Sequence, residues 1–172
     1  MSDLHAAFDF RSGVPDAARF PYSTWRALLA EQLRPGAVGS AAHIDAAGFG
    51  ALRTAIARHV GVSRAVRAVA DDVFVTSGSQ QAVDLIARVL VEPGERVAVE
   101  DPGYPPVRGA FTAHGAQVVG VPVDAEGLVT DALPDDARLV YVTPAHQFPL
   151  GVAMSLRRRR MRKAFSDMSL SV

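Results

Sequence analysis

Thr76-Ser77-Gly78-Ser79-Gln80-Gln81 is the segment of this chain best suited to hold an anion. Its residues are small and polar, and they sit between a short apolar run, Val73-Phe74-Val75-Thr76, and a helix that Gln80 opens. A helix N-terminus presents unpaired backbone N–H groups and a partial positive charge. Gly78 lets the backbone approach a ligand closely, and Ser77 and Ser79 add hydroxyl donors. Together these make a phosphate seat. The same residues also suit a plain helix cap, in which Ser77 or Ser79 satisfies only the helix. The segment is neither a Walker A loop nor a GxGxxG fingerprint.

Further chemistry lies downstream. Asp101-Pro102-Gly103-Tyr104-Pro105 follows the strand-like run Arg96-Val97-Ala98-Val99-Glu100 and supplies an aromatic ring. Thr143-Pro144-Ala145-His146-Gln147-Phe148-Pro149-Leu150-Gly151 follows Arg138-Leu139-Val140-Tyr141-Val142 in the same way. In open α/β sheets ligands bind beyond the carboxyl ends of the strands, so the three loops should converge on one side. A phosphate seat, a stacking ring and a polar loop would suit a flat phosphorylated cofactor. Each loop also has a structural reading: Tyr104 as core packing, Pro144 and Pro149 as turn formers, His146 as a satisfied, partly buried histidine.

The elements that position these loops follow from periodicity. Residues 1–21 read as an extended arm. Trp25, Leu28, Leu29 and Leu33 form one face of a helix that Arg34-Pro35-Gly36 ends. Residues 36–48 read as loop, and Phe49, Leu52, Ile56 and Val60 as a second helix closed by Gly61. A buried strand is predicted at 73–76 and a helix through Val83, Leu85, Ile86, Val89 and Leu90, stopped by Pro93-Gly94. Strands at 96–100, 117–121 and 138–142 alternate with a helix from Pro105 to His114 and a short helical turn at 129–133. Such alternation predicts an α/β fold with a mostly parallel sheet and helices on both faces.

Composition narrows the chemistry further. The 172 residues carry 18 basic and 18 acidic side chains, so no global field draws the chain to nucleic acid or an acidic membrane. The chain contains no cysteine, which rules out disulfides, thiolate metal sites and cysteine nucleophiles. Met1-Ser2-Asp3-Leu4-His5 does not read as a signal peptide, and no apolar run approaches the roughly 20 residues of a membrane span. A cytoplasmic protein is the expectation. Lys163 is the one lysine among the basic residues.

Val75 to Leu85 resembles the cofactor-phosphate segment of fold-type-I, pyridoxal-phosphate-dependent aminotransferases of class I/II. Val99-Glu100-Asp101-Pro102-Gly103-Tyr104-Pro105 and Val142-Thr143-Pro144-Ala145-His146-Gln147-Phe148-Pro149 narrow the resemblance to the aminotransferase-like domain of MocR-type regulators. In that group the domain follows a winged-helix DNA-binding domain of the GntR kind. Phe8-Asp9-Phe10-Arg11-Ser12-Gly13-Val14-Pro15-Asp16 and Leu52-Arg53-Thr54-Ala55-Ile56-Ala57 fit the same domain. The resemblance runs from about Phe8 to about Arg158.

The resemblance implies an aminotransferase large-domain fold and pyridoxal 5'-phosphate as cofactor. The implied cofactor-binding residues are Ser77, Gly78, Ser79 and Gln80 at the phosphate, Tyr104 stacked on the pyridine ring, and His146. His146 and Gln147 share the loop that approaches the phenolic side of the ring, and either is placed to touch it. The stacking contact would contribute about 1 kcal/mol. His43 and Asp45 stand where the family often has a tyrosine that reaches the partner subunit. An amino acid or 2-oxo acid substrate and a homodimer are implied too.

The family also uses an aspartate at the pyridine nitrogen and a Schiff-base lysine, both in later segments. Met154-Ser155-Leu156-Arg157-Arg158 still resembles the start of the family's next helix, but Lys163 and Asp167 fall in the basic tail 157–172, of which Met161 to Val172 matches nothing in the family, and neither is assigned those roles. No catalytic residue, no metal site and no covalent cofactor attachment are therefore expected. The organisation reads as an arm and helix at 1–48, a partial large domain at 49–156 that is incomplete at its C-terminus, and the basic tail. A truncated or frame-shifted reading frame would account for this. The arginine run at 157–160 could contact phosphate backbones, or it could be a solvated helix end or out-of-frame sequence. No helix-turn-helix pattern precedes residue 8. Three functions stay open: an aminotransferase-like domain inactive by itself, a piece of a regulator that senses the cofactor or an amine, and a module for another phosphate ligand.

Overall fold

The computed structural model describes residues 16–36 and 45–160. The arm residues 1–15, the loop residues 37–44 with His43, and the tail with Lys163 and Asp167 lie outside the described residues. The chain divides into two compact units, 1–46 and 47–172.

In the first unit a 3-10 turn, Ala17–Arg19, leads into α1, Tyr22–Gln32. Asp16 caps the turn, its Oδ1 accepting from the Ala18 amide at 3.0 Å. Phe20 sits edge-on to Tyr22 and Trp25, with ring centroids 4.9 and 5.9 Å away. The stripe of Trp25, Leu28, Leu29 and Leu33 is exposed.

The second unit opens with α2, Gly50–Arg64. The sequence pattern closes this helix at Gly61, but it runs past that residue and ends where Ala65 takes the left-handed conformation at φ 54°. A glycine inside a helix costs only about 1 kcal/mol relative to alanine, too little to stop it. A 3-10 turn, Ala70–Asp72, precedes the 73–76 segment.

Residues 73–76 form no regular element and join no sheet among the described residues, although Val73 has an extended backbone. Their amide at Val75 donates to the Ala47 carbonyl at 2.8 Å, and Phe74 stays exposed. The predicted buried strand is therefore not formed here. An apolar run signals burial, but a strand also needs a partner for its backbone groups, and that partner is non-local.

From there the predicted rhythm appears. Helix α3, Ser79–Leu90, turns Val83 and Ala87 inward one helical turn apart. Strand β1, Arg96–Asp101, is buried at its four central residues, as expected of a strand covered on both faces. Helix α4, Pro105–Ala113, begins on prolines, whose missing N–H groups cost nothing at a first turn. Strand β2, Gln117–Asp124, pairs antiparallel with the short β3, Gly127–Leu128. A 3-10 turn, Thr130–Ala132, leads to β4, Ala137–Tyr141, and α5 covers Leu156–Arg160.

The sheet order is β3-β2-β1-β4. Both β2 and β4 run parallel to β1, with Val99 opposite Gly120 on one side and Tyr141 on the other. On one face Val97 and Val99 pack with Val83 and Ala87 of α3 and Val107 and Phe111 of α4. On the other, Ala98 and Val121 pack with Leu128, Leu133 and Ala137, and Met154 lies against them just before α5. The fold is α/β with a mixed, mainly parallel sheet.

Candidate functional site

The helix directions place the loops. Arg138, near the start of β4, donates through Nε to the carbonyl of Leu90 at the end of α3, 2.9 Å away. The C-terminus of α3 thus lies at the amino ends of the strands, and its N-terminus points to their carboxyl ends. Helix α4 begins at the carboxyl end of β1 because only three residues separate Asp101 from Pro105. Both helix N-termini therefore face the side where ligands bind in such sheets.

The turn before α3 is built without a side-chain cap. Gly78 is the N-cap residue at φ 136° and ψ 173°, a backbone conformation essentially reserved for glycine. Nothing lies within 4 Å of the position a β-carbon would take there, so the requirement is conformational and not steric. Gln81 reaches back, its Oε1 accepting from the Ser77 amide at 2.6 Å. The Thr76 hydroxyl donates to the Gly78 carbonyl at 3.1 Å. No side chain caps the helix start, and Ser77, Gly78, Ser79 and Gln80 are all exposed. Of the two sequence readings of this turn, the geometry disfavours the serine cap: the N-cap residue is Gly78, no side chain makes a cap hydrogen bond, and both serines are exposed.

The two later loops are locked together. Glu100, buried at the end of β1, accepts from the Thr143 amide at 3.2 Å and from the Thr143 hydroxyl at 2.6 Å. Gln147, also buried, donates from Nε2 to the carbonyls of Pro102 at 2.7 Å and Phe148 at 2.6 Å. Its Oε1 accepts from the Leu150 amide at 3.0 Å. Gly103 makes the turn possible, since a β-carbon there would overlap the Glu100 carbonyl. Tyr104 is 40% exposed and meets the Phe148 ring edge-on, centroids 5.8 Å apart and planes at 86°. That geometry uses one edge contact and leaves ring surface open.

His146 is exposed, whereas its neighbour Gln147 is engaged with backbone groups. The structure thus separates two residues that the sequence leaves equivalent: Gln147 holds the loop, and His146 is free to face solvent or a ligand. Asp45 is exposed, in the first unit. Two structural residues of the site, Glu100 and Thr143, are not singled out by the sequence reading. A charged residue near the end of an otherwise apolar strand, with a threonine opening the loop after a later strand, is the available signal. Among the described residues no cluster of three or more His, Asp or Glu side chains could hold a metal ion.

Charges around the site are local pairs. Asp84, farther along α3, accepts from His114 Nε2 at 2.7 Å, and this bond with nearby Arg88 holds its carboxyl below the usual range. Burial raises the Tyr141 hydroxyl above its ordinary value, with the negative charge of Glu100 adding to the effect. Arg108 lies 3.7 Å from Asp101 at the mouth of the site.

A glycine turn without a side-chain cap, a partly exposed aromatic ring and a pinned polar loop thus lie at one end of the sheet. The family pattern for aminotransferase class I and II matches residues 14–158, and the chain belongs to that family. It is 34% identical over 151 residues to the probable rhizopine catabolism regulatory protein MocR of Rhizobium meliloti, covering 87% of this chain and 31% of that protein. It is 34% identical over 155 residues to the HTH-type pyridoxine biosynthesis transcriptional regulator PdxR of Corynebacterium glutamicum, covering 90% of this chain and 33% of the regulator. The alpha-aminoadipate aminotransferase LysN of Thermus thermophilus, solved with N-(5'-phosphopyridoxyl)-L-leucine, superposes with a TM-score of 0.74 at 30% identity, covering 87% of this chain and 38% of LysN. The chain spans about a third of the length of these relatives. Members of the family use pyridoxal phosphate. Among the described residues no helix is long and apolar enough to cross a membrane.

Proposed function

We propose that this chain carries the phosphate and ring-face portion of a pyridoxal-phosphate site and binds the cofactor non-covalently. The observation that supports it most is the uncapped start of α3 behind Gly78, at the same end of the sheet as the open Tyr104 ring. The donor set fits the group: exposed amides and two serine hydroxyls suit a phosphate dianion, and an exposed tyrosine face suits a pyridine ring. In this reading Ser77, Gly78, Ser79 and Gln80 hold the phosphate, Tyr104 covers one ring face, and His146 lies toward the phenolic side. When bound, the cofactor supplies an electron sink for bonds at an amino acid's α-carbon. The residues present here bind it, orient it and shield one face.

The lone lysine, Lys163, lies beyond the family match at 14–158. These 172 residues are therefore proposed to bind without turnover, whatever amino acid or 2-oxo acid the whole family site accepts. The proposed organisation is an arm and helix at 1–48, large-domain sequence at 49–156 and a basic tail at 157–172. Titration of the purified chain with pyridoxal phosphate should show saturable binding that inorganic phosphate competes, without transamination of added amino acids. Binding that phosphate leaves untouched would sink the phosphate-seat assignment, and measurable transamination would overturn the prediction of no turnover.

A second reading, regulatory sensing, draws on relatives such as MocR and PdxR, both named as regulators. In that case the site reports cofactor or amine to a DNA-binding domain. A winged-helix segment encoded in frame upstream of Met1 would support it, and a promoter at that position would count against it.

A further inference from the structure

Glu100 is a buried carboxylate, 4% exposed, at the carboxyl end of the central strand β1. It commits both oxygens to one residue of another loop, Thr143, at 3.2 and 2.6 Å. On the same side, Gln147 returns the tie by donating to Pro102 at 2.7 Å. Tyr104 then closes the arrangement against Phe148. Two loops far apart in sequence are thereby joined at three points: Glu100 to Thr143, Pro102 to Gln147 and Tyr104 to Phe148. Among the described residues no hydrogen bond or ion pair ties the 76–81 turn to this assembly.

We infer that Glu100 is a positioning residue that makes the Tyr104 loop and the 143–151 loop a single rigid wall, which receives the ring of the bound cofactor independently of the phosphate seat. A buried carboxylate is costly unless its oxygens are fully used. Here that cost is offset only while Thr143 stays in place, so the pair holds the loop in one position. The wall carries the two side chains proposed to meet the ring, Tyr104 and His146. Displacing it should weaken contacts to the ring and leave contacts to the phosphate as they are. This inference rests on the cofactor reading above for the identity of the ligand, but the coupling of the two loops does not.

The test uses the full 172-residue chain and two probes, pyridoxine 5'-phosphate and inorganic phosphate, followed by calorimetry. Pyridoxine 5'-phosphate has no aldehyde, so adventitious amine adducts do not enter. Glu100→Ala should bind pyridoxine 5'-phosphate about tenfold more weakly, as expected for a buried charged hydrogen-bond partner removed. Its affinity for inorganic phosphate should match that of the parent chain. Glu100→Gln retains an acceptor for the Thr143 amide and a donor for its hydroxyl, and it should restore most of the loss. Equal weakening of both probes in Glu100→Ala, or no weakening of either, overturns the proposal. If the parent chain binds inorganic phosphate and not pyridoxine 5'-phosphate, the cofactor reading fails, and amide hydrogen exchange decides the coupling. In that measurement Glu100→Ala should speed exchange at Thr143, Gln147 and Gly151 and leave Ala82 at the start of α3 unchanged. Unaltered exchange at those loop amides overturns the coupling itself.

Discussion

Ser77 and Ser79 illustrate how a residue's job is set by what surrounds it. A serine that caps a helix contributes about 1 kcal/mol to stability. The α3 start has no side-chain cap, and the amide of Ser77 is served by Gln81. The double variant Ser77→Ala/Ser79→Ala should therefore stay within about 0.5 kcal/mol of the parent in urea unfolding, as surface changes away from special features do. Its affinity for inorganic phosphate should nonetheless fall. A stability loss of the size a lost cap gives would return these serines to a structural role. Gly78→Ala is the complementary change. With nothing near the added carbon but φ at 136°, it should cost about 1–3 kcal/mol by backbone strain alone. Tyr104, His146 and the turn residues are legible as site candidates because exposed polar and aromatic loop residues after strands are unusual enough to notice. Gln147 is legible only as a member of the loop, since its burial comes from the fold.

At the scale of elements, α5 is held to the β2–β3 hairpin chiefly by Arg158, with Arg157 3.5 Å from Glu126 beside it. Arg158 donates to Asp124 through two nitrogens, at 2.5 and 2.7 Å, and to the Gly127 carbonyl at 2.8 Å. The first residues of the arginine run thus include a specific clamp, where the sequence offers a phosphate contact, a solvated helix end or out-of-frame sequence. Arg158 keeps the Asp124 carboxyl below its ordinary value, and His114 does the same for Asp84. A carboxylate with a lowered folded value binds protons less readily folded than unfolded. The stability it adds is present above the ordinary aspartate value of about 3.9 and is lost as pH falls through the lowered folded value. Urea midpoints should accordingly fall through the acid range below that value. Arg158→Met should flatten the part of this fall that Asp124 contributes, while leaving the Asp84 part. An acid profile identical to the parent's would show that the clamp is not formed in solution.

Across the molecule, stability concentrates where helices meet the sheet. Phe111 is 1% exposed and sits among Val97, Val99, Val107 and Val83. Phe111→Ala should cost about 3–5 kcal/mol, measured by urea unfolding, because transfer and cavity terms add. The apolar residues of α1 behave differently. Leu28 is 52% exposed, and Leu28→Ala should change stability by less than about 0.5 kcal/mol. A loss at Leu28 approaching that at Phe111 would contradict the burial seen here. The contrast matters because the two stripes look alike in sequence: both place large apolar residues at helical spacing, yet Phe111 is buried and Leu28 is exposed.

The sequence by itself determined the α/β alternation, the carboxyl-end position of the loops and the family. These are local signals, carried by periodicity, by Pro and Gly at element ends, and by loop motifs that keep their residue types. Only the tertiary structure decided which apolar runs find partners. Val97 and Val99 are covered, whereas the 73–76 run with Phe74 lacks a ladder and the α1 stripe is exposed. It also decided that Gln147 anchors while His146 faces outward, and that Glu100 ties the ring loop to the polar loop. The physical reason is the same in each case. Burial and hydrogen-bond satisfaction are properties of pairs separated by tens of residues, and a pattern read along one segment does not contain its partner.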